Sequence, residues 1–245
     1  IHTYEEFLNT YKLARKIGFK NINADLMIGL PKQTIEDVEK AVNDLIKLGL
    51  EHISVYSLIL EEGTVLEEQI RSGKLKLPED EEERKMYWKV KSILEANGYI
   101  HYEISNFAKK GYESQHNLDC WRQKEYVGFG VAAHSYTNDV RYSNIENLEE
   151  YIENYENDKL EETFIFNEKL THNMKVKEYM MLGLRKLNGV SIQEFKEKFA
   201  ANPIYVFKNE LEKLVNEDLL EIDGDYIRLT KRGLDLANLV WEEFV

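Results

Sequence analysis

The chain has a single cysteine, Cys120, among its 245 residues, which excludes an intrachain disulfide and suits a reducing cytoplasm. It has no apolar run near the roughly 20 residues needed to cross a bilayer, so no transmembrane segment is expected. Positive charge is scarce too: 32 Lys and Arg stand against 45 Asp and Glu, a net charge of −13. Nucleic-acid affinity rests on clustered cations at phosphates, so DNA and RNA are poor candidate partners. A hydrophobic content of 43% with 11% aromatics argues against disorder. The chain opens on Ile1 without a charged and then apolar leader, the pattern expected of an excised fragment. Its length exceeds one typical domain of roughly 100 to 200 residues, which predicts one large domain with a small one.

Along the chain, residues 4–17 place apolar side chains at helical spacing before Gly18. INADLMIGL, residues 22–30, reads as a buried strand that turns sharply at Gly29-Leu30-Pro31. Thr34 with Asp37 resembles a capping box, and Val38, Ala41, Val42, Leu45 and Ile46 mark one apolar helix face. HISVYSLIL, residues 52–60, is the next strand, residues 79–97 the next helix, and YIHYEISNFA, residues 99–108, a third strand. This alternation predicts parallel strands joined by right-handed crossovers, part of a β/α barrel or open sheet. Ligands in such folds lie beyond the carboxyl ends of the strands, so 29–33, 57–62 and 105–117 should line one mouth. Asp25, a carboxylate inside an apolar strand, should be paired or face a polar ligand, since an unpaired buried charge costs several kcal/mol.

Residues 116–136, HNLDCWRQKEYVGFGVAAHSY, pack two histidines, the cysteine, a tryptophan and a Gly-x-Gly turn into one segment. His116 and Cys120 are ligand types that heme iron accepts, and Trp121 offers a flat apolar face. A hydrogen-bonded core histidine beside a tryptophan is the competing reading. The run NIENLEEYIENYENDKLEE reads as a solvated acidic helical connector over 146–170. From 171 to 245, three helices precede an Asp-Gly hairpin in LLEIDGDYIRLTKRG, a winged-helix-like pattern whose acidity argues against a DNA role.

Six blocks in order, NINADLMIGLPKQT, HISVYSLILEEGT, YEISNFA, HNLDCW, YVGFGVAAHS and EYMMLGLR, resemble the HemW and HemN group of radical S-adenosylmethionine (SAM) proteins over nearly the whole chain. The HNLDCW block resembles the HemW branch. The resemblance implies an α/β chain: a partial radical SAM (β/α)6-type barrel with the heme-motif segment over 1–145, then a small winged-helix-like α+β domain. It implies a [4Fe-4S] cluster held by a CxxxCxxC loop, SAM on that cluster, and heme carried and delivered to an acceptor protein. The alternative within the group is an oxygen-independent coproporphyrinogen III oxidase acting in porphyrin biosynthesis. The CxxxCxxC loop is absent from this sequence, so the chain as it stands is expected to lack radical chemistry. Cys120 stands where the HemW pattern has tyrosine.

Carried over residue by residue, the resemblance places Asp25 at the SAM ribose, Gly29 and Gln33 on that rim, and Leu58 and Ile59 near the adenine. It makes His116 the iron ligand, with Asn117 orienting it and Trp121 stacking on the macrocycle. Cys120 is either a further axial ligand or a small buried hydrophobe. Gly128 and Gly130 are expected to permit close backbone approach. His134 is a second ligand, a propionate partner or, the favoured reading, a core histidine. Arg122, Lys124 and Arg141 are the nearest cations for heme propionates. Strands at a truncated barrel edge should self-associate or be covered.

Overall fold

The computed structural model describes residues 2–245, which divide into two compact units, the first ending at Glu113 and the second running over Ser114–Val245. The first unit runs α1 (Tyr4–Ile17), β1 (Asn23–Ile28), α2 (Ile35–Lys47), β2 (His52–Ser57), α3 (Val65–Arg71), α4 (Asp80–Ala96), β3 (Ile100–Glu103) and β4 (Asn106–Ala108). The predicted capping box starts α2: the Asp37 N–H donates to Thr34 Oγ1 at 3.2 Å, and the Thr34 N–H donates to Asp37 Oδ2 at 3.0 Å. Strand β1 alternates, with Ala24, Leu26 and Ile28 buried and Asn23 and Asp25 exposed on the opposite face. Against its buried face pack Val38, Val42 and Leu45 of α2 and Met86, Val90 and Leu94 of α4. Each such side chain stabilises the fold by roughly 1.5–3 kcal/mol on full burial.

The sheet order is β1-β2-β4-β3, with β1 and β2 parallel as expected. The third strand is a correction. Residues 99–108 fold as a hairpin, and β4 runs antiparallel to both β2 and β3, so the sheet is mixed. The turn is built by Glu103, fully buried, whose carboxylate accepts from the Ser105 N–H at 3.0 Å and from Asn106 Nδ2. This turn carries no Gly or Pro, which is why the segment reads as one continuous strand.

The second unit contains α5 (Gln115–Trp121), β5 (His134–Thr137), β6 (Val140–Asn144), α6 (Leu148–Glu156), a 3-10 turn (Leu160–Thr163), β7 (Phe164–Lys169), α7 (His172–Gly183), β8 (Val190–Ser191), α8 (Ile192–Phe199), α9 (Pro203–Val206), α10 (Lys208–Asn216), β9 (Leu220–Asp223), β10 (Tyr226–Leu229), α11 (Lys231–Asp235) and α12 (Ala237–Glu242). Its first sheet has the order β5-β6-β7, all antiparallel. Residues 114–145 therefore pack with the carboxyl-terminal part of the chain, and the unit boundary falls at 113/114 where the sequence places one at 145. The acidic segment over 146–170 is also more than a connector, because Phe164–Lys169 near its end pair with β6 as β7. The second sheet, β8-β10-β9, holds the predicted Asp-Gly hairpin with Gly224 at φ +59° in the turn. Phe195, Phe199, Phe207, Leu211, Leu214, Ile227 and Phe244 are buried in this unit. No helix among the described residues is long and apolar enough to cross a membrane.

Candidate functional site

The first unit gathers a polar cluster on the open face of its sheet. Register sets Asn23 beside His52 and Asp25 beside Ser54, so parallel pairing brings these side chains to one surface. Asn23 Nδ2 donates to Asp25 Oδ1 at 2.7 Å, which turns Asn23 Oδ1 toward His52 Nδ1, also at 2.7 Å, and Ser54 Oγ at 3.2 Å. An amide oxygen only accepts, so Nδ1 carries the proton and Nε2 accepts from the Tyr102 hydroxyl at 2.8 Å. Burial pushes the His52 pKa down, against the opposing pull of Asp25 and Glu113. Asn23, His52, Ser54 and Tyr102 carry no local motif, and only the strand register reveals them.

Asp25 itself is exposed, which corrects the expectation of a buried carboxylate. The apolar neighbours in sequence point to the other face of β1, so the charge pays no desolvation penalty. Its Oδ2 has no partner among the described residues, so an acceptor atom is available to a hydroxyl ligand. Gln33 fixes the turn after β1: its Nε2 donates to the Met27 carbonyl and its Oε1 accepts from the Leu30 N–H, both at 3.1 Å. Gly29 is in the left-handed region at φ +77°, and a Cβ there would come 3.1 Å from the Glu83 carboxylate. The Leu58 N–H donates to the Ile28 carbonyl at 2.9 Å, which brings the ends of β1 and β2 together, while Ile59 is 75% exposed.

The second unit places His116, Asn117, Cys120 and Trp121 on α5, capped by Ser114 Oγ accepting from the Asn117 N–H at 3.3 Å. His116 is exposed, and its Nε2 lies 3.9 Å from Cys120 Sγ. Positions i and i+4 share a helix face and adjacent positions do not, so the neighbour of the imidazole is Cys120 and not the expected Asn117. Burial first, and the Asp119 charge second, push the Cys120 thiol up, so it stays protonated near neutral pH. Trp121 is also placed differently from expectation: the Arg185 guanidinium carbon stands 4.5 Å from its ring centroid and occupies one face.

Gly128 does meet a close backbone approach, but from the chain's own His134 carbonyl, which a Cβ would overlap. Gly130 adopts φ +97°, a conformation that favours glycine, with open space where a Cβ would stand. Between them Phe129 is 89% exposed, the most available aromatic of the segment and one that attention to the glycines overlooks. His134 is exposed at the start of β5, which overturns the core-histidine reading. The three candidate cations are already paired: Arg122 and Lys124 with Asp119 at 3.7 and 2.7 Å, and Arg141 with Glu168 at 2.8 Å and with Glu178.

A three-thiolate cluster does not fit these residues. The chain has one cysteine, and no group of three or more His, Cys, Asp or Glu side chains among the described residues is arranged to hold a metal. No step of chemistry is therefore assigned to an iron–sulfur centre here.

Residues 170–236 match the HemN C-terminal domain family. The fold of 99% of the chain superposes on 59% of the coproporphyrinogen III oxidase HemN of Escherichia coli, described as a radical SAM enzyme, with a TM-score of 0.78 and 21% identity. The chain thus has the fold of the corresponding part of that structure, a mixed α/β unit and a small winged-helix-like α+β region, and its residues 170–236 are similar to the HemN C-terminal domain. More particularly, its whole length is similar to proteins named heme chaperone HemW: 37% identical over 244 residues in Lactococcus lactis and 39% over 247 residues in Bacillus subtilis. The chain spans 63% and 64% of those two relatives.

Proposed function

We propose that this chain belongs to a HemW-like protein that binds heme and passes it to an acceptor protein, with His116 as the iron ligand. The observation that carries the reading is the whole-length similarity to proteins named heme chaperones, at 37% and 39% identity. The geometry of α5 supports it. An exposed imidazole with only a weak sulfur neighbour can offer a nitrogen lone pair to iron without breaking a buried network. Cys120 stands beside that ligand as a soft sulfur neighbour. Phe129, Tyr126 and Val127 give exposed apolar surface in the same segment, the kind a porphyrin plane covers. Asn117, Gly128, Gly130 and His134 complete the candidate heme segment. Propionates compete with Asp119, Glu168 and Glu178 for Arg122, Lys124 and Arg141.

Asp25, with one carboxylate oxygen available, together with Gly29, Gln33, Leu58 and Ile59, forms the candidate SAM surface in the first unit. Bound SAM on an iron–sulfur cluster supplies radical chemistry; the residues here contribute only a hydroxyl-accepting carboxylate and a fixed turn. A cytoplasmic setting suits the single free thiol.

Titration of the purified chain with hemin, followed by the Soret band, tests the reading. Saturable one-to-one binding is expected, weakened at least about tenfold in His116→Ala. Unchanged affinity in the variant would remove His116 as the ligand, and no binding by the native chain would refute the proposal.

A further inference from the structure

A helix of seven residues with no buried side chain has little stability of its own, so the pose of α5 must be imposed from outside it. Gln123 shows how. It follows the helix in the left-handed region, φ +54°, where its N–H donates to the Cys120 carbonyl at 2.9 Å. Glycine is the usual residue in this position, because an L side chain there is disfavoured. Here the side chain is 6% exposed and its Nε2 donates to the Lys175 carbonyl at 3.2 Å and to Glu178 Oε2 at 2.7 Å, both on α7. Rotating the amide would set its oxygen against two acceptors, so the orientation is forced, and Oε1 is left without a partner among the described residues. A strained backbone held by a buried side chain is a place where the fold over-determines a conformation.

The two residues before Gln123 are held as well. Arg185 is sandwiched between two indoles, its guanidinium carbon 4.5 Å from the ring centroids of both Trp121 and Trp241. Lys198 on α8 sets its Nζ 3.4 Å from the carbonyls of Arg122 and Gln123, a cation at the negative end of the helix. Lys175, Glu178, Arg185 and Lys198 all belong to the 170–236 match.

We propose that the HemN C-terminal domain fixes the pose of the His116 helix by gripping its carboxyl end, and that Gln123, Arg185 and Lys198 are positioning residues for the ligand bound at His116. The inference rests on the heme reading for what is positioned, though not for the grip itself.

The test uses the full chain and the variants Gln123→Gly and Arg185→Lys. Glycine accepts the left-handed turn and so removes the anchor while sparing the fold; lysine keeps the charge and loses the planar stack. Without heme, amide hydrogen exchange over 115–121 is expected to rise in both variants while α8 and α10 stay protected. With heme, affinity is expected to fall about tenfold with a displaced Soret maximum. Unchanged exchange over 115–121 would overturn the grip. Faster exchange with native heme affinity would overturn the positioning role. A native chain that takes no heme would remove the positioning role along with the heme reading, and the exchange data alone would then still decide the grip.

Discussion

His52 in the first unit and His116 in the second have the same side chain in opposite circumstances. His52 lies on a strand flanked on both sides by partners, is 6% exposed, and uses both ring nitrogens, toward Asn23 at 2.7 Å and Tyr102 at 2.8 Å. His116 lies on an exposed face of α5 with Cys120 Sγ at 3.9 Å as its recorded neighbour. To reach a metal, His52 must give up two hydrogen bonds within a buried network, and His116 only a weak sulfur contact. The element decides this, since a central strand satisfies its side chains against neighbours on either side and a short surface helix does not. His101 extends the comparison to a third state: it stacks on Phe107 at 4.2 Å, its Nε2 donates to the Ile104 carbonyl at 3.2 Å, and its Nδ1 has no hydrogen-bond partner among the described residues.

The largest stability effect should come from His101. Burial pushes its pKa down to about 4, against the opposing hydrogen bond to the Ile104 carbonyl. A base depressed in the folded state binds fewer protons there than in the unfolded chain. The contribution of His101 is therefore intact above about 6.5 and lost as pH falls toward 4, by roughly 3 kcal/mol at the lower end. Urea unfolding of the first unit at pH 7 and pH 4.5 is expected to show this loss, and His101→Phe to reduce it. Equal acid sensitivity in the variant would assign the effect to other groups. The next effect is that of His52→Ala, expected to cost about 1–3 kcal/mol at pH 7 by removing the buried hydrogen bonds to Asn23 Oδ1 and to the Tyr102 hydroxyl. A cost below about 0.5 kcal/mol would mean the network is not stabilising.

What could be read beforehand divides along the same line. Features set by near neighbours were legible: the Thr34–Asp37 cap, the parallel β1 and β2, the 223–225 turn and the dense segment around His116. Features set by distant pairing were not. The burial of Asp25 was misjudged because composition reports apolar neighbours and not which face each occupies. The His52 network depends on register between strands far apart in the chain, and the partner of Trp121 lies on another helix altogether. The hairpin over 99–108 escaped because a carboxylate closes its turn in place of glycine.

The smallest effect separates the two histidines most sharply. In the absence of heme, His116→Ala is expected to change stability by no more than about 0.5 kcal/mol, the range usual for exposed sites. The imidazole is exposed, its side-chain neighbour is Cys120 Sγ at 3.9 Å, and alanine is the better helix former, so a small gain can offset the small loss. Thermal unfolding of the variant beside the native chain checks this. If the two coincide, any loss of heme binding in His116→Ala reflects the lost nitrogen and not a damaged helix. A loss above about 1 kcal/mol would show that His116 is packed as His52 is, and the contrast between a structural and an available imidazole would fail at its second member.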